Sequence, residues 1–249
     1  MRRAILLGTA FLVLTALVQA GLLRPADRYA IHHLEPLSGG TLAQTVAPPD
    51  PLQALRPVVR GERSAVVSIG AIAFVPADTE AAIVLVVAAG VVLRRRGRAR
   101  PWAWTAALLA GLAVEGLGKR LVDQIHFAPG TTILGVALNG SYPSGHTIRS
   151  VILATAAATL WPRARPLLAA WVLLVTGLLE LGGLHVPSDI AGGFLAGGAL
   201  ACAAVALQSG GHAALQATGS PHLRQAAGAA DGRAGRPGAD RGEEQPEAG

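Results

Sequence analysis

The stretch PSGHTIRSVILATAAATLW, residues 143–161, joins a polar turn directly to an apolar run long enough to enter a membrane. A second stretch, HVPSD at residues 185–189, lies in the same way between two apolar segments. Each stretch contains a histidine, and the second also has an aspartate four residues after it. Ionisable side chains at the ends of apolar segments indicate a functional site at a bilayer surface.

The composition is typical of a polytopic membrane protein. Of the 249 residues, 51% are hydrophobic and only 14% are charged. Because a spanning helix needs roughly 20 apolar residues, we predict an all-α fold, a membrane bundle of about six transmembrane helices. The predicted segments are approximately 4–23, 69–93, 102–118, 144–161, 167–184 and 190–207. Pro76, Asp78 and Glu80 interrupt the second segment, which allows an interfacial or broken helix in its first half.

The chain divides into three predicted parts. Residues 1–63 comprise the first transmembrane helix and an extracytoplasmic loop, and residues 64–207 form the membrane core with the two histidine stretches. Residues 208–249 are rich in Gly, Ala, Arg, Glu and Pro without periodicity, which predicts a disordered cytoplasmic tail. The short basic start leaves a cleaved signal peptide as an alternative for the first segment.

Arginine placement predicts the orientation of the bundle. Arginines precede the first apolar segment, follow the second, and separate the fourth from the fifth, so these connections are expected in the cytoplasm. Alternation then places His146, His185 and Asp189 together on the extracytoplasmic face. The Arg-rich, Lys-poor composition is typical of a GC-rich bacterial genome, and hence we expect the plasma membrane.

The charge and cysteine content exclude several function classes. Much of the net charge of +6 is cytoplasmic arginine, and no basic face has interleaved aromatics, so no nucleic-acid partner is expected. The single cysteine excludes an intramolecular disulfide. We expect a membrane lipid as the binding partner, with no cofactor and no metal, while the oligomeric state stays open.

The two histidines suit phosphoryl transfer. Asp189 is close enough in sequence to accept the Nδ1 proton of His185, which leaves Nε2 to attack phosphorus. His146 then becomes the candidate acid. Each histidine also has a structural interpretation, as a helix cap or as a hydrogen-bonded loop pair. Their expected meeting on one face favours a site.

Candidate phosphate ligands lie beside these histidines. Ser144 and Gly145 form a tight turn at a predicted helix start, where N–H groups and the helix dipole bind anions. Lys119, the one lysine in the chain, would add a full positive charge. Glu115 lies one helical turn before it, so a structural ion pair is the alternative.

At these residues the chain resembles the type 2 phosphatidic acid phosphatase superfamily, the lipid phosphate phosphatases that share a fold with vanadium haloperoxidases. The family pattern comprises Lys-x6-Arg-Pro, Pro-Ser-Gly-His, and Ser-Arg-x5-His-x3-Asp. The second part is complete at residues 143–146, and the third keeps His185 and Asp189. The resemblance covers about residues 64–207, and it implies a six-helix layout whose site faces away from the cytoplasm.

The resemblance also implies individual roles. His185 would form a phosphohistidine, Asp189 would orient it, and His146 would protonate the leaving alcohol without any metal. The implied phosphate ligands are Lys119, Ser144 and Gly145.

Two family arginines are absent. The Arg-Pro of the first motif falls on His126-Phe127, and the Ser-Arg of the third falls on Leu178-Leu179. Arg149, three residues after His146, is the best replacement because it lies about one helical turn further along the same face. Snorkelling of Arg149 to the interface is the alternative. The weaker replacements are Arg120 and His126.

The sequence therefore predicts a metal-independent integral membrane phosphatase that hydrolyses a lipid phosphate or polyprenyl diphosphate at the extracytoplasmic face through a phosphohistidine. Three alternatives remain open. They are a lipid phosphotransferase, a catalytically impaired phospholipid-binding pseudoenzyme, and a structural or transport protein that uses the histidines as proton relays.

Overall fold

The computed structural model describes residues 1–38, 72–98, 100–124, 131–133, 136–138, 140–181 and 184–218. These residues form seven α-helices and one short antiparallel hairpin, so the predicted all-α class is confirmed. The helices are α1 (Arg2–Gln19), α2 (Arg24–Ser38), α3 (Thr79–Arg95), α4 (Ala103–Leu121), α5 (Gly145–Leu160), α6 (Arg165–Leu181) and α7 (Pro187–Thr218). In the hairpin, β1 (Thr131–Ile133) pairs with β2 (Val136–Leu138), with Thr132 opposite Ala137.

The chain separates into two compact units, Met1–Ser209 and Gly210–Gly249. Every side chain discussed below belongs to the first unit. Of the second unit, the structure describes only the end of α7. A disordered tail was predicted from residue 208 onward. Helix α7 continues through Thr218, and the rest of the predicted tail lies outside the described residues.

Within the described part of the chain, three helical segments are long and apolar enough to cross a membrane: Arg2–Gln19, Pro162–Leu181 and Pro187–Ser209. The predicted count of about six spans is not confirmed. Helices α3 and α5 contain only 17 and 16 residues, and α4 carries Glu115, Lys119 and Arg120 near its end. The last turns of α4 and the first turns of α5 carry charged candidate site residues, which lowers the mean hydropathy of both helices.

The second predicted span is broken where its sequence is least apolar. A short 3-10 turn covers Val75–Ala77, and Asp78 has an extended backbone conformation before α3 begins at Thr79. Pro76 has no N–H to donate, so it suits the first turn of a new helix better than a helix interior. The break places Asp78 at the N-terminus of α3 with its side chain outside the regular helix.

The N-terminal region also differs from the prediction. Residues 24–63 were expected to form a partly irregular loop, but α2 occupies Arg24–Ser38. Pro25 falls in the first turn of α2, where a residue without an N–H is tolerated, and four further prolines, at positions 48, 49, 51 and 57, follow the helix. The remainder of the predicted loop, residues 39–63, lies outside the described residues.

The main core lies between α3, α4, α5 and α7. Trp104 of α4 and Ile152 of α5 are fully buried in it, together with Val86 of α3 and Ala204 of α7. Helix α5 contacts α3, α4 and α6. The helix that carries the first histidine stretch is therefore held by neighbours on several sides.

Two glycines allow α7 to approach α5 closely. A Cβ on Gly193 would lie 2.6 Å from Thr147 Cβ, and one on Gly197 would lie 3.0 Å from Ile148 O. Real Cβ atoms almost never come as near as the first of these distances. This close approach of α7 to α5 brings the two histidine stretches together.

Candidate active site

The two histidine stretches meet through a backbone hydrogen bond. Ser144 N, just before α5, donates to Asp189 O in the first turn of α7 at 3.0 Å. Both residues are fully buried. The expected meeting of the stretches is thus present, joined by main-chain atoms that no side-chain motif can reveal.

His185 and Asp189 form the first histidine–carboxylate pair. His185 Nδ1 lies 3.2 Å from Asp189 Oδ2, and the backbone N–H of Val186 donates to the same oxygen at 3.4 Å. Because a carboxylate only accepts hydrogen bonds, Nδ1 carries the proton and Nε2 has the lone pair. The contact with Asp189 therefore orients the imidazole ring of His185.

His146 and Asp78 form a second pair. His146 Nε2 lies 3.2 Å from Asp78 Oδ1, and the two side chains are each 25% exposed. The ring of Phe74 meets the imidazole edge to face, with centroids 5.6 Å apart. The sequence analysis missed this partner, since it treated Asp78 only as an interruption of an apolar segment. An acidic residue beside such a segment was the available signal.

Glu115 binds the two cations that were predicted to bind phosphate. Its Oε1 accepts a hydrogen bond from Lys119 Nζ at 2.8 Å, and its Oε2 accepts one from Arg149 Nη1. Arg149 Nε also donates to Ala77 O at 2.6 Å. All three charged side chains are at least 94% buried. The guanidinium of Arg149 therefore does not snorkel, and the ion pair considered for Lys119 is present.

The Glu115 carboxylate also lies against the start of α5. A Cβ added to Gly145 would overlap this carboxylate, so any larger residue there would have to displace the Glu115 side chain. Arg149 and His185 both interact electrostatically with His146, and His146 interacts with Glu115. The ion-paired cations and both histidines thus form one connected cluster of charge.

Ser144 caps α5. Its Oγ accepts hydrogen bonds from Thr147 N at 3.4 Å and from Thr147 Oγ1 at 3.0 Å. A serine at the N-cap satisfies a backbone donor that would otherwise lack a partner. Among the described residues, no acceptor binds the Ser144 hydroxyl proton.

The alternative replacements for the family arginines lie elsewhere. Arg120 is exposed on α4, and His126 lies outside the described residues. Leu179 is fully buried in an apolar cluster with Val175 and Ile190, and Leu178 packs against it. Where the family pattern has Ser-Arg, this chain therefore has core packing. Among the described residues, no group of three or more His, Cys, Asp or Glu side chains could hold a metal ion.

Helix α1 reaches the site through Tyr142, a further residue that the sequence analysis did not select. Tyr142 Oη and Thr15 Oγ1 are 2.9 Å apart, and the ring of Phe11 stacks on Tyr142 at 6.1 Å. Burial raises the pKa of the Tyr142 phenol, so it stays neutral. The residue before Pro143 is thus anchored to the N-terminal helix.

Comparison with known proteins supports the resemblance. Residues 128–211 match the family model described as the PAP2 superfamily, and this range includes His146, Arg149, His185 and Asp189. No curated protein and no solved structure matches the chain. The match confirms the resemblance over residues 128–211 and is consistent with a PAP2 superfamily member.

Proposed function

We propose that this protein hydrolyses a lipid phosphate or polyprenyl diphosphate at the extracytoplasmic face of the plasma membrane through a phosphohistidine. The observation that carries the proposal is the hydrogen bond from Ser144 N to Asp189 O, at 3.0 Å. This hydrogen bond links two elements. One is the N-terminus of α5, which can bind phosphate, and the other is the turn that carries the His185–Asp189 pair. Membrane phosphatase activity follows from this joint site and the superfamily match.

In the first step His185 Nε2 attacks phosphorus and the bond to the lipid oxygen breaks. Asp189 stabilises the positive charge that develops on the ring, since its carboxylate accepts the Nδ1 hydrogen. His146 gives a proton to the departing alcohol or phosphate oxygen. With Nε2 held by Asp78, Nδ1 is the ring nitrogen that delivers this proton.

In the second step water attacks the phosphohistidine. His146, now without that proton, accepts one from the water as the phosphorus–nitrogen bond breaks. Inorganic phosphate leaves and both imidazoles return to their starting protonation. The cycle consumes one water molecule and needs no redox partner.

Phosphate binding in the proposal falls to Lys119, Arg149, Ser144 and the N–H of Gly145. The first N–H groups of α5 and the positive end of its dipole attract an anion. A hydrogen bond to a charged group contributes about 1.5–3 kcal/mol, so Arg149 can make up part of the loss of the two family arginines. Glu115 holds both cations and would have to share them with the phosphate.

The ion pairs that Glu115 forms with Lys119 and Arg149 also support a second candidate, a phospholipid-binding pseudoenzyme. If Glu115 kept both cations, the site would bind a headgroup weakly without stabilising the extra charge of the transition state. A phosphotransferase would use the same phosphohistidine and pass the phosphoryl group to a lipid or sugar. Dependence of product formation on an added acceptor separates that enzyme from a hydrolase.

Phosphate release by the detergent-purified protein tests the proposal. The substrates are phosphatidic acid, phosphatidylglycerophosphate and a polyprenyl diphosphate, each with a chelator present. Turnover that His185→Ala abolishes is the expected result. The matched control is His33→Ala, because His33 is exposed and its ring pairs only with Tyr29 among the described residues. Turnover that persists in His185→Ala contradicts the mechanism, and binding without turnover by the unaltered protein favours the pseudoenzyme.

A further inference from the structure

The helix that carries the nucleophile pair lacks a side-chain cap of its own. Helix α7 begins at Pro187, and Ile190 N donates to Val186 O, so Val186 is the N-cap residue. N-cap residues usually have a side-chain oxygen that accepts from the first turn, and valine has none. The first turn of α7 therefore needs an acceptor from another part of the chain.

Asp27 of α2 supplies this acceptor. Its Oδ1 accepts from Ser188 N at 3.1 Å, and its Oδ2 accepts from Ser188 Oγ at 2.7 Å. Gln124 Nε2 donates to the same Oδ2 at 3.1 Å and to Ser188 Oγ at 2.6 Å. A carboxylate that precedes Ser188 by 161 positions in sequence thus caps α7.

The Asp27 carboxylate that contacts Ser188 is buried. The residue is only 1% exposed. Burying a carboxylate is unfavourable unless hydrogen bonds and positive charge compensate for the lost water. Here Ser188 and Gln124 provide the donors, and the N-terminus of α7 provides the partial positive charge. The Asp27 carboxylate is therefore satisfied only while the first turn of α7 stays in place.

Asp27 and Asp189 bind opposite parts of the same turn. Asp27 accepts from Ser188 N, and Asp189 Oδ2 accepts from Val186 N and His185 Nδ1. A shift of Ser188 would carry the adjacent Asp189 with it and change its position relative to His185. The capping contact is therefore separated from the histidine–carboxylate pair by a single peptide unit, Ser188–Asp189.

We propose that Asp27 is a positioning residue that acts through Ser188 to hold the His185–Asp189 pair in its attacking arrangement. Asp27 lies outside residues 128–211, which match the superfamily, and outside the membrane core predicted at 64–207. The N-terminal helices are then part of the catalytic unit. The effect on turnover rests on the proposed function, but the effect on the His185 ring does not.

The test combines ¹⁵N NMR of the histidine side chains with kinetics on the full-length protein in detergent. The variants are Asp27→Ala and the milder Asp27→Asn. Asparagine keeps one side-chain oxygen, which can accept from only some of the donors of Ser188 and Gln124. The control is Asp123→Ala, because that carboxylate is 79% exposed and pairs with Arg24 at 3.2 Å. His185→Ala identifies the His185 signals.

In the unaltered protein we expect His185 to be protonated at Nδ1. Asp27→Ala should give a mixture of His185 tautomers and lower kcat on the order of 100-fold with KM little changed, as small displacements of a reacting group do. Asp27→Asn should produce a smaller change in the His185 tautomer mixture and a smaller loss of kcat. Asp123→Ala should change neither the tautomer nor kcat.

Unchanged His185 signals in Asp27→Asn, together with unchanged signals or misfolding in Asp27→Ala, would overturn the proposal. A rise in KM with unaltered kcat would overturn it too, since that result indicates substrate binding. If no substrate releases phosphate, the proposed hydrolase fails separately, and the NMR comparison still decides the role of Asp27.

Discussion

The two histidine–carboxylate pairs have the same 3.2 Å separation but opposite origins. His185 and Asp189 are four residues apart at the start of α7, whereas His146 and Asp78 are separated by 68 residues and come from different helices. The first pair is almost completely buried, and the second is one quarter exposed. The local pair joins the residue before the N-cap of α7 to the first turn of that helix, while the distant pair depends on how α3 and α5 pack.

This difference suits the two proposed roles. A nucleophile must keep one tautomer through the reaction, and burial of Asp189 restrains the His185 ring. A proton donor must exchange protons with water or substrate between steps, and the partial exposure of His146 permits that. The comparison therefore predicts unequal consequences when each carboxylate is neutralised.

The largest effect is expected from Asp189→Asn. Loss of the charge should let His185 adopt the wrong tautomer and lower kcat on the order of 10⁴-fold, as in other histidine–carboxylate systems. Because Asp189 also accepts from Val186 N, the free energy of unfolding should fall by about 1–3 kcal/mol. Phosphate release and denaturant unfolding measure the two effects. Near-normal turnover would show that the local pair does not orient the nucleophile.

Asp78→Asn should have a smaller effect. His146 keeps its place at the start of α5 but loses the carboxylate that holds Nε2, and we expect kcat to fall about 100-fold, the lower end for general acid catalysis. The free energy of unfolding should change little, because the pair is partly exposed. A matched control is Glu80→Gln, an exposed carboxylate two residues further along. Equal losses in both variants would contradict a specific role for Asp78.

Phe74→Leu should have the smallest effect. Leucine keeps most of the buried volume but removes the edge-to-face contact with the His146 ring, which is worth about 0.5–1.5 kcal/mol. We expect turnover to fall by up to about tenfold, the factor that this energy corresponds to. Phosphate release at saturating substrate is the measurement. A loss larger than that of Asp78→Asn would mean that the aromatic ring, and not the carboxylate, sets the position of His146.

The sequence alone was enough to select the two histidine stretches and to predict the positions of most helices. The length of the apolar stretches placed α4, α5 and α6 within a few residues of their observed bounds, and Pro76 marked the break before α3. Helix α2 was missed because its mixed polar sequence resembles a loop. The span count was not confirmed, since several helices are too short or too charged by their own composition.

What the sequence by itself determined is what depends on near neighbours. A spacing of four residues keeps His185 and Asp189 near each other in the chain, and a Ser-Gly turn favours a helix start. Only the tertiary structure decided which remote carboxylate each group meets: Asp78 for His146, Glu115 for Arg149, and Asp27 for Ser188. The physical reason is that a buried polar group must find a partner, but its identity depends on which helices pack together.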